Sequence, residues 1–162
     1  MRLLWLGLFT VSLLLAACGY TSRSQLRQNV NTIYIPILDN HTYRRGLEFD
    51  LTNALKNEIL FRTRLKIVDK DHADSILYGS ITDVKKLILL EDTKANPAEA
   101  AMVIIMDFSW VDLRTGRTIV DKKNVTQQAE FIVKKKETEE TAEREAFVDL
   151  AEKVINLMEE NW

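Results

Sequence analysis

The residue with the most chemistry to offer is Cys18, the single cysteine of the 162-residue chain. A thiolate is a strong nucleophile, and its chemistry here is set by what precedes it. The chain opens with Met1-Arg2, a short cationic start. Leu3 to Leu15 then form an apolar run broken only by Gly7, Thr10 and Ser12, and Leu15-Ala16-Ala17 leads directly into Cys18. The run is too short to span a bilayer core, which needs about 20 residues. A cationic start, an apolar stretch and small residues before a cut make a secretory signal segment. Cysteine directly after Ala16-Ala17 is the lipobox pattern, in which the thiol takes a diacylglyceryl group by thioether linkage. The new N-terminus is then acylated too. At about 0.8 kcal/mol per buried CH2, two or more chains hold a protein on a membrane where one does not. The reading divides the chain into a signal peptide (1–17), a lipidated N-terminus and tether (18–30) and a single domain (31–162). Gly19, rather than an aspartate, after the cysteine points to the outer membrane.

The remaining reactive side chains give no catalytic constellation. His41 and His72 both fall in turns, and neither has the spacing of a zinc-binding His-Glu-x-x-His helix. The five glycines are scattered, so no phosphate loop is present. Asp69, Asp71, His72 and Asp74 crowd one loop. They could form a weak cation site or an acid/base pair, but a solvated loop explains them better. The expected class is therefore not an enzyme, with no metal and no cofactor beyond the covalent lipid on Cys18. Two basic clusters remain, Lys85-Lys86 and Lys134-Lys135-Lys136. Ammonium groups of this kind can donate to phosphates as point charges, although solvated strand ends and helix entries also carry such runs. Loss of residues 1–17 removes one charge, Arg2, and takes the net charge from −2 to −3. That balance excludes a nucleic-acid binder, which needs a basic excess.

These side chains are positioned by a small set of regular elements. Thr32 to Leu38 reads as a strand, with Pro36 placing it at a sheet edge or bulging it. Asp39 to Thr42 reads as a turn. A helix from Tyr43 or Gly46 to Phe61 carries Leu47, Leu51, Leu55 and Ile59 at four-residue spacing, one apolar stripe. A short strand follows over Leu65 to Val68, completing a β-α-β unit with its strands parallel. Asp69 to Asp74 is a polar loop. Ser75 to about Leu90 is a long strand with Leu77, Gly79 and Ile81 on one face, and its end, Leu87 to Leu90, is apolar on both. Glu91 to Glu99 reads as a connection.

The clearest alternation lies in the next strand, where Met102, Ile104, Met106, Phe108 and Trp110 share a face. Its first half is apolar on both faces, which suggests a cover on the second. Arg114 to Arg117 is a hairpin turn in which Gly116 supplies a positive φ. The following strand, Thr118 to about Val133, loses its alternation at Asp121 to Asn124, where a bulge or exposed ribbon is expected. A last helix over Thr138 to Met158 buries Ala146, Phe147, Leu150, Ala151, Val154, Ile155 and Met158, with Thr138 as its cap. The order β-α-β-β-β-β-α gives an α/β (α+β) two-layer sandwich, two helices on one face of a mixed four- to five-stranded sheet.

A family resemblance rests on several stretches taken together. Cys18-Gly19-Tyr20 opens the mature chain. Ile33-Tyr34-Ile35-Pro36-Ile37-Leu38-Asp39-Asn40-His41-Thr42 follows, then Gly46-Leu47-Glu48 and Leu51 to Glu58. Ala73 to Ile81 and Asp112-Leu113-Arg114-Thr115-Gly116 complete the set. The combination resembles the LptE family of lipopolysaccharide-assembly lipoproteins over nearly the whole mature chain. The resemblance implies a two-layer protein that plugs an outer-membrane β-barrel, LptD, supports its assembly and helps deliver lipopolysaccharide to the outer leaflet. It implies attachment to the cell outer membrane on the periplasmic side and a position inside the barrel lumen. It carries over no ligand residues one by one, so Lys85, Lys86 and Lys134 to Lys136 stand as lipopolysaccharide-binding candidates on their charge alone. Two other readings compete. One is a lipoprotein of similar build that regulates cell-wall synthases or serves a secretion channel. The other is a periplasmic hydrolase using Asp69, Asp71, His72 and Asp74.

Overall fold

The computed structural model describes residues 30–91, 93–94, 96–133 and 136–159, with backbone alone for 136–138. The signal segment, Cys18, the tether up to residue 29, Lys134, Lys135 and Trp162 lie outside the described residues. The elements are β1 (Thr32–Tyr34), β2 (Asp39–Asn40), α1 (Leu47–Arg62), β3 (Lys66–Ile67), β4 (Ser75–Glu91), β5 (Pro97–Asp112), β6 (Arg117–Ile132) and α2 (Lys136–Glu159), with one 3-10 turn at Lys70–His72. They make a two-layer α+β sandwich. The strands lie in the order β3-β1-β4-β5-β6, and β2 also pairs with β4.

The expected first strand is split in two. Ile33 and Tyr34 pair in parallel with Ser75 and Ile76, while Asp39 and Asn40 pair in parallel with Ser80 and Ile81. Both pieces run along β4, and Pro36, which has no N–H to donate, lies in the gap. The strand is thus broken at Pro36, and β1 sits inside the sheet between β3 and β4 rather than at an edge. Asp39–Asn40, expected in a turn, belongs to the sheet, which counts six strands where four or five were expected. The gap leaves the amide of Leu38 without a ladder partner. It donates instead to the buried Thr52 hydroxyl of α1 at 3.1 Å.

Two expected boundaries are corrected, and two expected backbone features are present. β5 begins at Pro97, so the connection from β4 is much shorter than Glu91 to Glu99, and Glu91 already pairs with Pro97. The bulge expected near Asp121 to Asn124 is present. Met106 pairs with Val125 and Phe108 with Lys122, which leaves Asp107 opposite two residues, and Asn124 takes a φ of 55°. Gly116 has the positive φ expected of it, 68°. α2 starts at Lys136, so Thr138 lies within its first turn and is not the capping position.

One continuous core lies between the helices and the sheet. Met102, Ile104, Met106, Phe108 and Trp110 of β5 meet Leu51, Leu55 and Ile59 of α1 and Leu150, Val154 and Ile155 of α2. Each buried aliphatic of this kind stabilises the fold by about 1.5–3 kcal/mol. The helices are tied to each other and to the turn before α1 by polar contacts at their rims. Arg62 pairs with Glu58 at 2.5 Å and with Glu152 of α2 at 2.7 Å, and Arg44 pairs with Glu143. On the outer face of β5, Ala101 and Val103 are buried between their cross-strand neighbours. Leu87 and Glu130 flank the first, Lys85 and Gln128 the second. A separate cover for the small Ala101 is therefore unnecessary. Among the described residues no helix is long and apolar enough to cross a membrane.

Candidate functional site

Of the four candidates in the Asp69–Asp74 loop, Asp69 and His72 line one open depression of about 440 Å3 with Tyr34 and Lys56, and Asp71 and Asp74 do not. Asp74 turns inward, and one carboxylate oxygen accepts from the amides of Asn31 at 3.0 Å and Thr32 at 3.1 Å. Its own amide donates to the Thr32 hydroxyl at 2.8 Å. These donors, the Asn31 amide foremost, hold its carboxyl below the usual aspartate range. The carbonyl of His72 accepts from the Thr32 hydroxyl at 3.2 Å. The loop thus fastens the start of β1 to the start of β4. His41 donates its amide to Ile81 at 3.0 Å. Among the described residues no group of three His, Cys, Asp or Glu is placed to hold a metal ion.

The Asp39-Asn40-His41-Thr42 stretch is equally structural. The Asn40 amide group donates to the Arg44 carbonyl and to Glu48, both at 2.7 Å, and its oxygen accepts from Thr42. Glu48 also accepts from the amide of Gly46 at 3.1 Å. The Asn40 bond, with smaller help from backbone N–H groups, lowers the Glu48 carboxyl from its ordinary value. Asn40 and Glu48 together start α1, since Gly46 at φ 98° offers no side chain to cap it.

A cleft of about 410 Å3 between α1 and α2 is lined by Asp50, Asn53, Ala54, Glu140, Arg144 and Phe147, among others. It holds carboxylates and amides but no histidine, cysteine or lysine, so it lacks a nucleophile paired with a base.

Lys85 and Lys86 lie on a different kind of surface. The end of β4, the start of β5, the end of β6 and the entry to α2 meet at one end of the sheet. Val133 donates to Ala98 there at 3.1 Å, just before the 134–136 run. Lys85 and Lys86 are neighbours in a strand and therefore face opposite ways. Lys85 pairs with Val103 on the outer face and forms an ion pair with Asp83 at 2.7 Å. Lys86 pairs with Met102 on the helix side, reaches Glu139 of α2 at 2.9 Å and lies 4.9 Å from the centre of the Phe131 ring. The two do not make one patch, and each already has a carboxylate. Lys136 is the first residue of α2.

Next to these lysines lies the longest run of exposed large apolar side chains among the described residues. Leu87 is 46% exposed, Ile88 54%, Leu89 44% and Leu90 55%, and Ile132 beside them is 54% exposed. Directly opposite residues in a sheet share a face. The pairs Leu87–Ala101 and Leu90–Glu99–Ile132 are on the outer face, Ile88–Ala100 is on the helix side, and Leu89 sits in the register shift. The two-sided apolar run at Leu87 to Leu90 was legible in the sequence. Ile132 was not, because only the pairing of β6 with β5 brings it alongside. This end of the molecule can meet apolar chains with its leucines and anionic groups with its lysines.

Fold and surface thus define a two-layer α+β domain with an amphiphilic end to its sheet. The chain belongs to the LptE lipopolysaccharide-assembly family, whose model matches residues 30–158. No sequence among curated proteins matches it. Solved structures share its fold at low identity. A minor lipoprotein from Acinetobacter baumannii is 12% identical with a TM-score of 0.56, covering 82% of this chain and 94% of that one. The rare lipoprotein B from Shewanella oneidensis is 14% identical, TM-score 0.53, covering 79% and 93%. An uncharacterized lipoprotein B from Nitrosomonas europaea is 17% identical, TM-score 0.53, covering 87% and 90%.

Proposed function

We propose that this protein is a lipid-anchored, non-enzymatic component of lipopolysaccharide assembly at the outer membrane. Lipid on Cys18 holds it to the periplasmic side. Its domain occupies the lumen of the β-barrel LptD, supports assembly of that barrel and helps pass lipopolysaccharide to the outer leaflet. The observation that carries this reading is the family match over residues 30–158, the whole of the folded domain. The lipobox before Cys18 and the amphiphilic end of the sheet support it. Lysines beside exposed leucines suit a ligand that has phosphates on an acylated sugar.

Cross-linking in intact membranes tests the proposal. Photo-reactive side chains placed at exposed positions of β4 and α1 should capture a large β-barrel. Capture of a cell-wall synthase or a secretion-channel subunit, with no barrel, would overturn it.

A further inference from the structure

The cleft between α1 and α2 is a groove that runs lengthwise along both helices. Arg44, just before α1, reaches Glu143, and Arg62 at its end reaches Glu152, so the helices run side by side in the same direction. Residues three and four apart share a helix face. Asp50, Ala54, Asn57 and Phe61 therefore form one row on α1, facing Glu140, Arg144 and Phe147 on α2. Phe147 is buried and Ala54 packs against the core, which gives the groove an apolar floor. Phe61 is 81% exposed and extends the α1 row towards the end of that helix. The walls carry polar groups with nothing to hold. Among the described residues the side chains of Asp50, Asn53, Asn57, Glu140 and Arg144 make no hydrogen bond or ion pair. Glu143 is taken by Arg44.

We infer that this groove is the seat of the chain's own segment 20–29, laid along it as an extended peptide. Position and length both allow it. The described chain begins at Val30, beside the end of α1, where the Asn31 carbonyl accepts from Lys66 at 3.0 Å, four residues after Arg62 closes the helix. Asp50 lies twelve residues back along α1 from Arg62, about 18 Å at 1.5 Å per residue. Arg23 lies seven residues before Val30, about 23–25 Å of extended chain, which brings it level with Asp50 and Glu140. The charges match as well. Tyr20-Thr21-Ser22-Arg23-Ser24-Gln25-Leu26-Arg27-Gln28-Asn29 carries two guanidiniums and no carboxylate, and the groove offers two free carboxylates against one guanidinium, Arg144. Asn53 and Asn57 stand one turn apart, about 5–6 Å, close to the roughly 6.6 Å two-residue repeat of an extended chain. Each side-chain amide can donate to and accept from a peptide unit. Leu26 covers Phe61, and Arg23 pairs with Asp50 and Glu140. Seated this way, the segment leads Cys18 to the N-terminal ends of the helices. Glu139 of α2 meets Lys86 there, so the lipid expected on Cys18 emerges at the same end of the domain as the exposed leucines of β4. The seating itself needs neither that lipid nor the barrel.

The full chain from residue 18, made with Cys18→Ser and Ser24→Cys and labelled with nitrogen-15, carries one nitroxide at position 24. Amides of residues 50–57 and 140–148 should broaden, and the broadening should persist when the chain is diluted into unlabelled chain. Arg23→Glu should lower the ratio of seated to unseated segment roughly fivefold, the scale of an exposed ion pair. Adding Asp50→Lys and Glu140→Lys to Arg23→Glu should restore it, which a loss of helix stability would not do. Absence of broadening in the groove would overturn the inference, as would broadening confined to another surface. So would loss of the signal on dilution, which would make a second copy the occupant, or broadening left unchanged by Arg23→Glu. A barrel captured by cross-linking would be unaffected by any of these failures.

Discussion

At the scale of single residues, two buried or half-buried polar groups bear on the fold more than their surroundings in the sequence suggest. The Thr52 hydroxyl accepts from Leu38 across the gap in the broken strand and donates to the Glu48 carbonyl. Thr52→Val keeps the shape and leaves the Leu38 amide buried without a partner. It should cost about 1–3 kcal/mol in urea unfolding, whereas Thr52→Ser should recover most of the loss. An equal cost for both variants would show that packing rather than the hydroxyl matters. Asp74 has a folded-state pKa below its ordinary value. Its contribution is therefore complete above the unfolded value of about 4 and is lost as pH falls through the lower folded value. Glu48 and Asp112 shift in the same direction, so the difference between wild type and Asp74→Asn isolates one group. Wild type should exceed the variant in stability at neutral pH, and the gap should close below pH about 4. A gap that stays constant through that range would dismiss the linkage. Neither role was legible beforehand. Thr52 lies beside the apolar stripe, where a threonine is unremarkable, and Asp74 stood among acids that read as solvated.

At the scale of elements, the link between β1 and β2 packs closely on β4 at Gly79. A Cβ on Gly79 would come within 2.9 Å of Leu38 Cδ2 and 3.1 Å of Met106 Cε. Gly79→Val should destabilise by about 1–3 kcal/mol from overpacking. Leu38→Ala in the same chain should return part of that loss, because it vacates the contacted space. A double-mutant cycle measures the coupling, and additive losses would refute this contact as the cause. Periodicity in the sequence placed most elements correctly. Strand alternation gave β5 its inward face, loss of alternation located the β6 bulge, and four-residue spacing marked α1. It misplaced the ends that depend on pairing. Pro97 to Glu99 look like loop by composition, yet they are drawn into β5 by partners on β4 and β6. Pro36 was consistent with an edge, and only the presence of β3 on the far side of β1 shows that the strand is interior and broken.

At the scale of the whole molecule, Lys85, Lys86 and the exposed leucines of β4 lie at one end of the sheet. Replacing Lys85 and Lys86 by glutamine, and Lys134 to Lys136 in a second variant, should each weaken lipopolysaccharide binding roughly 3- to 10-fold at low salt. That range reflects exposed charges worth at most about 1 kcal/mol apiece, and the effect should fade as salt screens them. Binding that stays unchanged in both variants at low salt would eliminate these clusters. The Lys85–Lys86 variant should be the milder one, since both ammonium groups already face carboxylates on opposite sides of β4.

Chain order and local pattern were enough to identify the two-layer class, the helix faces and the family. Each of these depends on residues near one another in sequence, where spacing alone dictates which side chains share a face. The tertiary structure decided the rest. It separated Lys85 from Lys86, put Ile132 beside Leu90 and aimed Asp74 at the backbone of β1. Those relations hold between strands far apart in the chain, and strand register is fixed by burial and bulges across the whole sheet rather than by any local signal.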